Sequence, residues 1–194
     1  MSQNSTQLPI KLIAIDGHGG SGKSTLASLL AQRYKAEIIH IDDFTGWHSN
    51  DEWWQKIVSF VFEPIIQGKT HLHYARAKWW ELHNPEPVTD QLVTNPLIFE
   101  GVGASRKELR DYAALRIFVD IPEEICLQRG FERDRGLDGK ADNEILELWQ
   151  GWIEDDKKYF QKHQPQSVAD FIVSGQKTIN ETLLRTFDAF LHKN

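Results

Sequence analysis

Cysteine is almost absent from this chain. Its 194 residues include one, Cys126, so no internal disulfide can form and no cluster of thiolates can hold zinc. One buried-type thiol fits a reducing compartment, and a cytoplasmic location is expected. Long apolar runs are missing too: no stretch reaches the roughly 18 residues that would cross a bilayer. Met1 to Gln7 lacks the apolar centre of a secretory leader and is expected to be a short disordered lead. Positive charge is in deficit, with 22 Lys and Arg against 28 Asp and Glu and a net charge of −6. That balance argues against nucleic acid or an anionic membrane as partner. It leaves room for a small anionic ligand, because a nest of backbone amides can hold phosphate on an acidic protein. There is no Asn-Lys-x-Asp string of the kind that reads guanine, no internal repeat and no low-complexity segment.

What is present begins with Gly17-His18-Gly19-Gly20-Ser21-Gly22-Lys23-Ser24, which fits G-x-x-x-x-G-K-[ST]. It follows the apolar run Leu12-Ile13-Ala14-Ile15 and precedes a helix-compatible segment, Ser24 to Tyr34. Strand, loop and helix in that order are the context a phosphate-binding loop requires. Glycines let the backbone curl until successive N–H groups point inward, and the helix N-terminus adds partial positive charge there. Gly17, Gly19, Gly20, Ser21, Gly22, Lys23, Ser24 and Thr25 are therefore assigned to the triphosphate of a nucleotide such as ATP. Lys23 can reach the outer phosphates, and the Ser24 hydroxyl can ligate Mg²⁺. A plain Gly-rich turn before a helix is the bland alternative.

Length and an apolar share of 40% point to one domain spanning 1–194. Short apolar strands are expected at Leu8–Ile15, Ala36–Ile41, Leu97–Phe99, Leu115–Asp120 and Phe171–Val173. Helices are expected at Ser24–Tyr34, Asp51–Gln67, Arg106–Tyr112, Pro122–Arg133, Asn143–Phe160 and Ile179–Leu191. His71–Ala77 reads as a short extended piece, and the prolines around Asn84–Asn95 mark a loop. Continuous apolar strands alternating with helices mean an α/β fold, a parallel sheet covered on both faces. In such a sheet, ligands bind at the carboxyl ends of the strands. Three of those ends carry suitable chemistry here: the Gly17 loop, Asp42-Asp43 and Glu100.

Taken in order, Ile15 to Thr25, Asp42-Asp43-Phe44, Phe99-Glu100-Gly101, Arg133-Asp134 and Ala169 to Val173 resemble uridine kinases and their relatives, phosphoribulokinase and pantothenate kinase. The resemblance covers about residues 10 to 175. It implies a three-layer P-loop NTPase fold with five parallel strands ordered 2-3-1-4-5. It further implies a helical lid, about 129–142, and an acceptor-binding insert, about 45–92. The implied reaction is phosphoryl transfer from ATP, with Mg²⁺, to the hydroxyl of a small molecule, a nucleoside in the first instance. Asp42 matches the first residue of the family's Asp-x-Phe and would orient or deprotonate that hydroxyl. Asp43 points to the opposite side of an extended chain. For both, a helix cap or Asx turn is the plain alternative. Glu100, at the end of a strand beside the loop, would hold Mg²⁺ with Ser24. Asp16 is the other carboxylate near the loop, on the strand that leads into it.

Arg129, Arg133 and Arg135 sit where the family's lid arginines stabilise transferring charge. Solvated pairing with Glu132 or Asp134 is the ordinary reading. Tyr74, Arg76 and His83 are the acceptor candidates, since they fall in an irregular stretch. Lys78 stands near the place where the family has Asp. His71 and His73 share a strand face without an evident third metal ligand, and Cys126 reads as a small buried apolar group. Two competitors stay open: a nucleoside monophosphate kinase, using Arg76, Lys78 and Arg106, and a nucleotide-dependent binding protein without catalysis. A small-molecule acceptor is the expected partner, and a homodimer is compatible with the sequence.

Overall fold

A computed structural model describes residues 8–45, 52–76 and 88–193. The expectations for Met1–Gln7, Lys78 and His83 lie outside these residues.

The chain folds around a five-stranded parallel sheet. Its strands are β1 (Leu12–Gly17), β2 (Ile38–His40), β5 (Leu97–Glu100), β6 (Leu115–Asp120) and β7 (Phe171–Ser174), in spatial order β2-β5-β1-β6-β7. Counted along the chain within this sheet, that is the expected 2-3-1-4-5. Strand β1 is central and buried at every position, as a parallel strand covered on both faces must be. Its side chains alternate between two cores. Leu12 and Ala14 face one core with Leu97 and Phe99 of β5, whereas Ile13 and Ile15 face the other with Ile98. Each fully buried Leu, Ile or Phe here contributes about 2 kcal/mol of transfer free energy.

The second core is closed by α1 (Lys23–Tyr34) and α7 (Glu181–Lys193). In α1 the buried residues Lys23, Leu26, Ala27 and Leu30 fall on one face at helical spacing. The first core is closed by the segment between β2 and β5. It comprises α2 (Trp53–Ile57), a π-helical stretch (Val58–Phe62), α3 (Glu63–Ile66) and a hairpin of β3 (His71–Ala75) and β4 (Val88–Leu92). The π stretch turns both Val61 and Phe62 into the core, and Phe62 meets Phe99 edge-on at 5.7 Å. Gly68, in the left-handed region at φ 78°, follows this helical run. On the other side of β1, α4 (Glu123–Asp134) leads through a 3₁₀ turn (Leu137–Gly139) into the long α5 (Asp142–His163) and the short α6 (Pro165–Val168).

Two expectations fail. Part of the Asn84–Asn95 loop is strand: Val88–Leu92 pairs antiparallel with His71–Ala75. Pro85 and Pro87 precede the paired residues and Pro96 follows them, so none removes a ladder donor. The expected helix Arg106–Tyr112 shrinks to a single 3₁₀ turn, Arg110–Tyr112. The chain before it runs in tight turns whose amides serve other acceptors. Gly103 and Ser105 donate to the Asp16 carboxylate, at 3.2 and 2.7 Å, in place of starting a helix.

Candidate functional site

The carboxyl ends of β1, β2 and β5 open onto a cleft of about 1560 Å³. Pockets for one small ligand usually measure roughly 300–1,000 Å³, so this cleft has room for a nucleotide and a second molecule together.

Residues 17–22 form one wall. Gly17 leaves β1 at φ 144°, and a Cβ there would lie 2.5 Å from the Val119 carbonyl oxygen. Gly20 adopts φ 77° and comes equally close, 2.5 Å, to the Cys126 carbonyl. Any side chain at either position would meet backbone, which explains the glycines physically. Gly22 caps α1, so the helix axis points its N-terminal amides at the cleft. The Lys23 amine curls over the loop and donates to the His18 carbonyl at 2.6 Å. Gly19, Gly20, Gly22, Lys23, Ser24 and Thr25 all line the cleft. Gly17 and Ser21 lie behind them; Ser21 is fully buried, and its amide closes the turn onto His18 O at 3.1 Å.

Glu100 ends β5 beside β1, with a side chain 7% exposed. Its Oε1 accepts from the Ser24 hydroxyl at 3.3 Å and lies 2.5 Å from His40 Nδ1. That carboxylate raises the His40 pKa, against the opposing effect of burial. A hydroxyl and a carboxylate converging beside the phosphate loop are hard oxygen donors of the kind Mg²⁺ prefers, so Ser24 and Glu100 fit such an ion. Asp16 does not. It is fully buried and already takes four donors: the amides of Gly17, Gly103 and Ser105 and the Tyr159 hydroxyl, the last at 2.6 Å. Burial pushes its carboxyl up, and the Tyr159, Ser105 and Gly17 hydrogen bonds oppose that rise. Asp16 fastens the end of β1 to the loop after β5.

Asp42 lies in a 3₁₀ turn (Ile41–Asp43) just beyond β2 and lines the cleft. Its carboxyl is open to cleft water but walled by protein. Desolvation raises its pKa, and the Glu100 carboxylate adds to the rise; Lys23, His40 and Arg133 pull the other way. A carboxylate tuned upward is a better proton acceptor near neutral pH. Asp43 turns away from Asp42, as expected, but through the 3₁₀ turn that both occupy and not through the alternation of an extended chain. It pairs with Arg76 at 3.3 Å and accepts from the Tyr74 hydroxyl at 3.4 Å. Asp43, Tyr74 and Arg76 thus meet one another beside the cleft, not among the residues that line it.

The arginines divide. Arg129 and Arg133 line the cleft from α4. Arg129 donates to the Gly175 carbonyl at 3.1 Å, and Arg133 pairs with Asp134 at 2.7 Å while lying over the Trp149 ring at 5.3 Å. Arg135 pairs with Asp142 at 2.6 Å, is 65% exposed, and takes no part in the cleft. The ordinary pairing with Asp134 is the one Arg133 makes, while Arg135 forms a solvated ion pair with a different partner, Asp142. Cys126 is buried, and burial pushes its thiol up to about 11, which makes it a poor nucleophile.

Several cleft residues carry no sequence motif. Asp156 of α5 accepts from the Gly19 amide at 2.9 Å. Trp149 packs against Gly19 and Gly130, and Arg106 lies 5.0 Å from the Trp53 ring and pairs with Glu108 at 2.8 Å. One signal could have exposed Asp156. It shares the buried face of α5 with Ile145, Trp149 and Ile153, and a carboxylate on an apolar face needs a partner.

The description "Phosphoribulokinase / Uridine kinase family" matches residues 69–180 of the chain, leaving the phosphate loop outside the matched span. Among curated proteins, none matches in sequence. Among solved structures, a possible uridine kinase from Bacillus stearothermophilus is similar, with TM-score 0.59 and 18% identity over 84% of this chain and 88% of that one. A candidate fructose transport system kinase from Silicibacter sp. TM1040 has TM-score 0.59 and 18% identity, covering 89% of this chain and 92% of that one. A gluconokinase from Sinorhizobium meliloti 1021 has TM-score 0.52 and 14% identity, covering 96% and 94%. At these identities the likeness is one of fold, whereas the family match spans more than half of the chain. The chain belongs to the phosphoribulokinase/uridine kinase family.

Proposed function

We propose that this protein transfers the γ-phosphoryl group of ATP to a hydroxyl of a small acceptor, with a nucleoside as the leading candidate. The observation that carries this reading is convergence. The phosphate loop, the Ser24–Glu100 pair and Asp42 come from three adjacent strand ends and face one cleft. Phosphoryl transfer asks little covalent chemistry of a protein; it asks for alignment and charge neutralisation.

The amides of Gly20 to Thr25 hold the β- and γ-phosphates. Lys23, Arg129 and Arg133 offset charge as it shifts toward the leaving oxygen. Asp42 accepts a hydrogen bond from the attacking hydroxyl and takes its proton as the new bond forms. Ser24 and Glu100 would hold Mg²⁺, which would neutralise charge on the phosphate oxygens. Family membership supports the use of ATP and Mg²⁺. Among the described residues no helix is long and apolar enough to cross a membrane.

Arg106 favours a second reading. Its guanidinium is buried in the same cleft, beside Trp53 and paired with Glu108. A nucleoside monophosphate would present a phosphate to such a group. Coupled ADP release, measured across nucleosides, nucleoside monophosphates, pantothenate and sugars, separates the two readings. No stimulation by any acceptor, with ATP binding intact, would instead favour a nucleotide-dependent binding protein.

A further inference from the structure

Helix α5 makes its hydrogen bonds to residues 18 and 19 of the phosphate loop through one carboxylate oxygen. Asp156, 8% exposed, places Oδ2 2.9 Å from the Gly19 amide nitrogen and 3.2 Å from His18 Nδ1. The His18 ring is held on its other side by Phe160, edge-on at 4.4 Å. The His18 carbonyl accepts both the Ser21 amide and the Lys23 amine, at 3.1 and 2.6 Å. One residue of the loop therefore ties together the turn, the lysine and the helix. On the same face of α5, Trp149 packs so close that a Cβ on Gly19 would lie 3.1 Å from its ring. That tryptophan also carries Arg133 over its ring and donates from Nε1 to Asp134 at 3.0 Å.

We propose that Asp156 is a positioning residue for phosphoryl transfer. By accepting the Gly19 amide and the His18 ring on one oxygen, it fixes the outer curve of the phosphate loop and so aims the inner amides at the triphosphate. The inference rests on the reading that this loop binds ATP. Charge is not what the role requires. A carboxylate near a triphosphate repels it, so the negative charge of Asp156 works against ATP, and only its acceptor geometry helps. Asparagine keeps one such oxygen in the same place, with lone pairs for both donors. Alanine leaves the half-buried Gly19 donor without its acceptor and the loop free to relax.

The test compares Asp156→Asn and Asp156→Ala by calorimetric titration with ATP and Mg²⁺, steady-state kinetics and thermal melting. Alanine is expected to weaken ATP binding about tenfold and raise KM for ATP, with KM for the acceptor unchanged. Asparagine is expected to stay within about threefold of the unsubstituted protein. Alanine binding ATP normally would overturn the proposal, even if its melting temperature falls. So would asparagine losing as much affinity as alanine. A second measurement needs no variant: the Gly19 amide should exchange hydrogen slowly in nucleotide-free protein, and exchange at the rate of an open loop would contradict the proposal. If the unsubstituted protein itself binds no ATP, the functional reading fails, and slow Gly19 exchange still reports whether Asp156 holds the loop.

Discussion

The Ser24 hydroxyl lies 3.3 Å from Glu100 Oε1, across 76 positions of sequence. Parallel pairing of β1 with β5, which sets Ile15 opposite Glu100, is what brings them together. Replacing Glu100 by Gln keeps the side chain's size and removes its charge. Activity is expected to fall by about 10- to 100-fold, with a higher concentration of Mg²⁺ needed for half-maximal rate. Titrating the rate with Mg²⁺ at fixed ATP checks this; an unchanged magnesium requirement would remove Glu100 from the metal site.

Asp42→Asn should leave ATP affinity nearly intact and lower kcat by about 10²- to 10⁴-fold, the usual worth of a positioned general base. Single-turnover kinetics with saturating ATP measures the chemical step directly.

The pH profile follows from the same residue. Asp42 must be ionised to accept the proton, and its pKa is raised by burial and by Glu100. The rate should therefore rise with pH through a limb that lies above the ordinary aspartate value of about 3.9. That limb should vanish in Asp42→Asn. A profile flat from the ordinary carboxylate range upward would show that no such group governs the rate.

Asp16 makes a separate prediction about stability. Asp16→Ala orphans three buried amides and the Tyr159 hydroxyl, and should cost about 3 kcal/mol or more. Urea unfolding followed by tryptophan fluorescence reads the loss. A change under about 0.5 kcal/mol, the size of an ordinary surface substitution, would contradict its role as the fastening between β1 and the loop after β5.

Local signals carried much of the fold and part of the site. The phosphate loop was legible because its glycines, lysine and serine serve one ligand within eight consecutive residues, Gly17 to Ser24. Strand order was legible because five apolar runs alternate with helices and the family resemblance orders them. Strand β4 was hidden by neighbouring prolines, since composition cannot tell a proline beside a pairing register from one inside it. Tyr74 and Arg76 stood out as polar groups in an irregular stretch and Asp43 as the neighbour of Asp42, yet the three contact one another beside the cleft. The roles of Asp156 and His40 were hidden for the opposite reason, although the apolar face of α5 marks Asp156 as needing a partner. Each acts on a partner brought near only by folding, Gly19 for one and Glu100 for the other. A sequence shows what a residue can donate or accept, and tertiary packing decides to whom.

Acceptor-dependent ADP release, compared between the unsubstituted protein and Asp42→Asn at saturating ATP and Mg²⁺, bears most directly on the proposed chemistry. At least one hydroxyl acceptor should raise ADP release about 100-fold or more over the rate with water alone, and Asp42→Asn should abolish most of that rise. A rate that no acceptor changes, or one that Asp42→Asn leaves intact, would contradict phosphoryl transfer to a hydroxyl in this cleft.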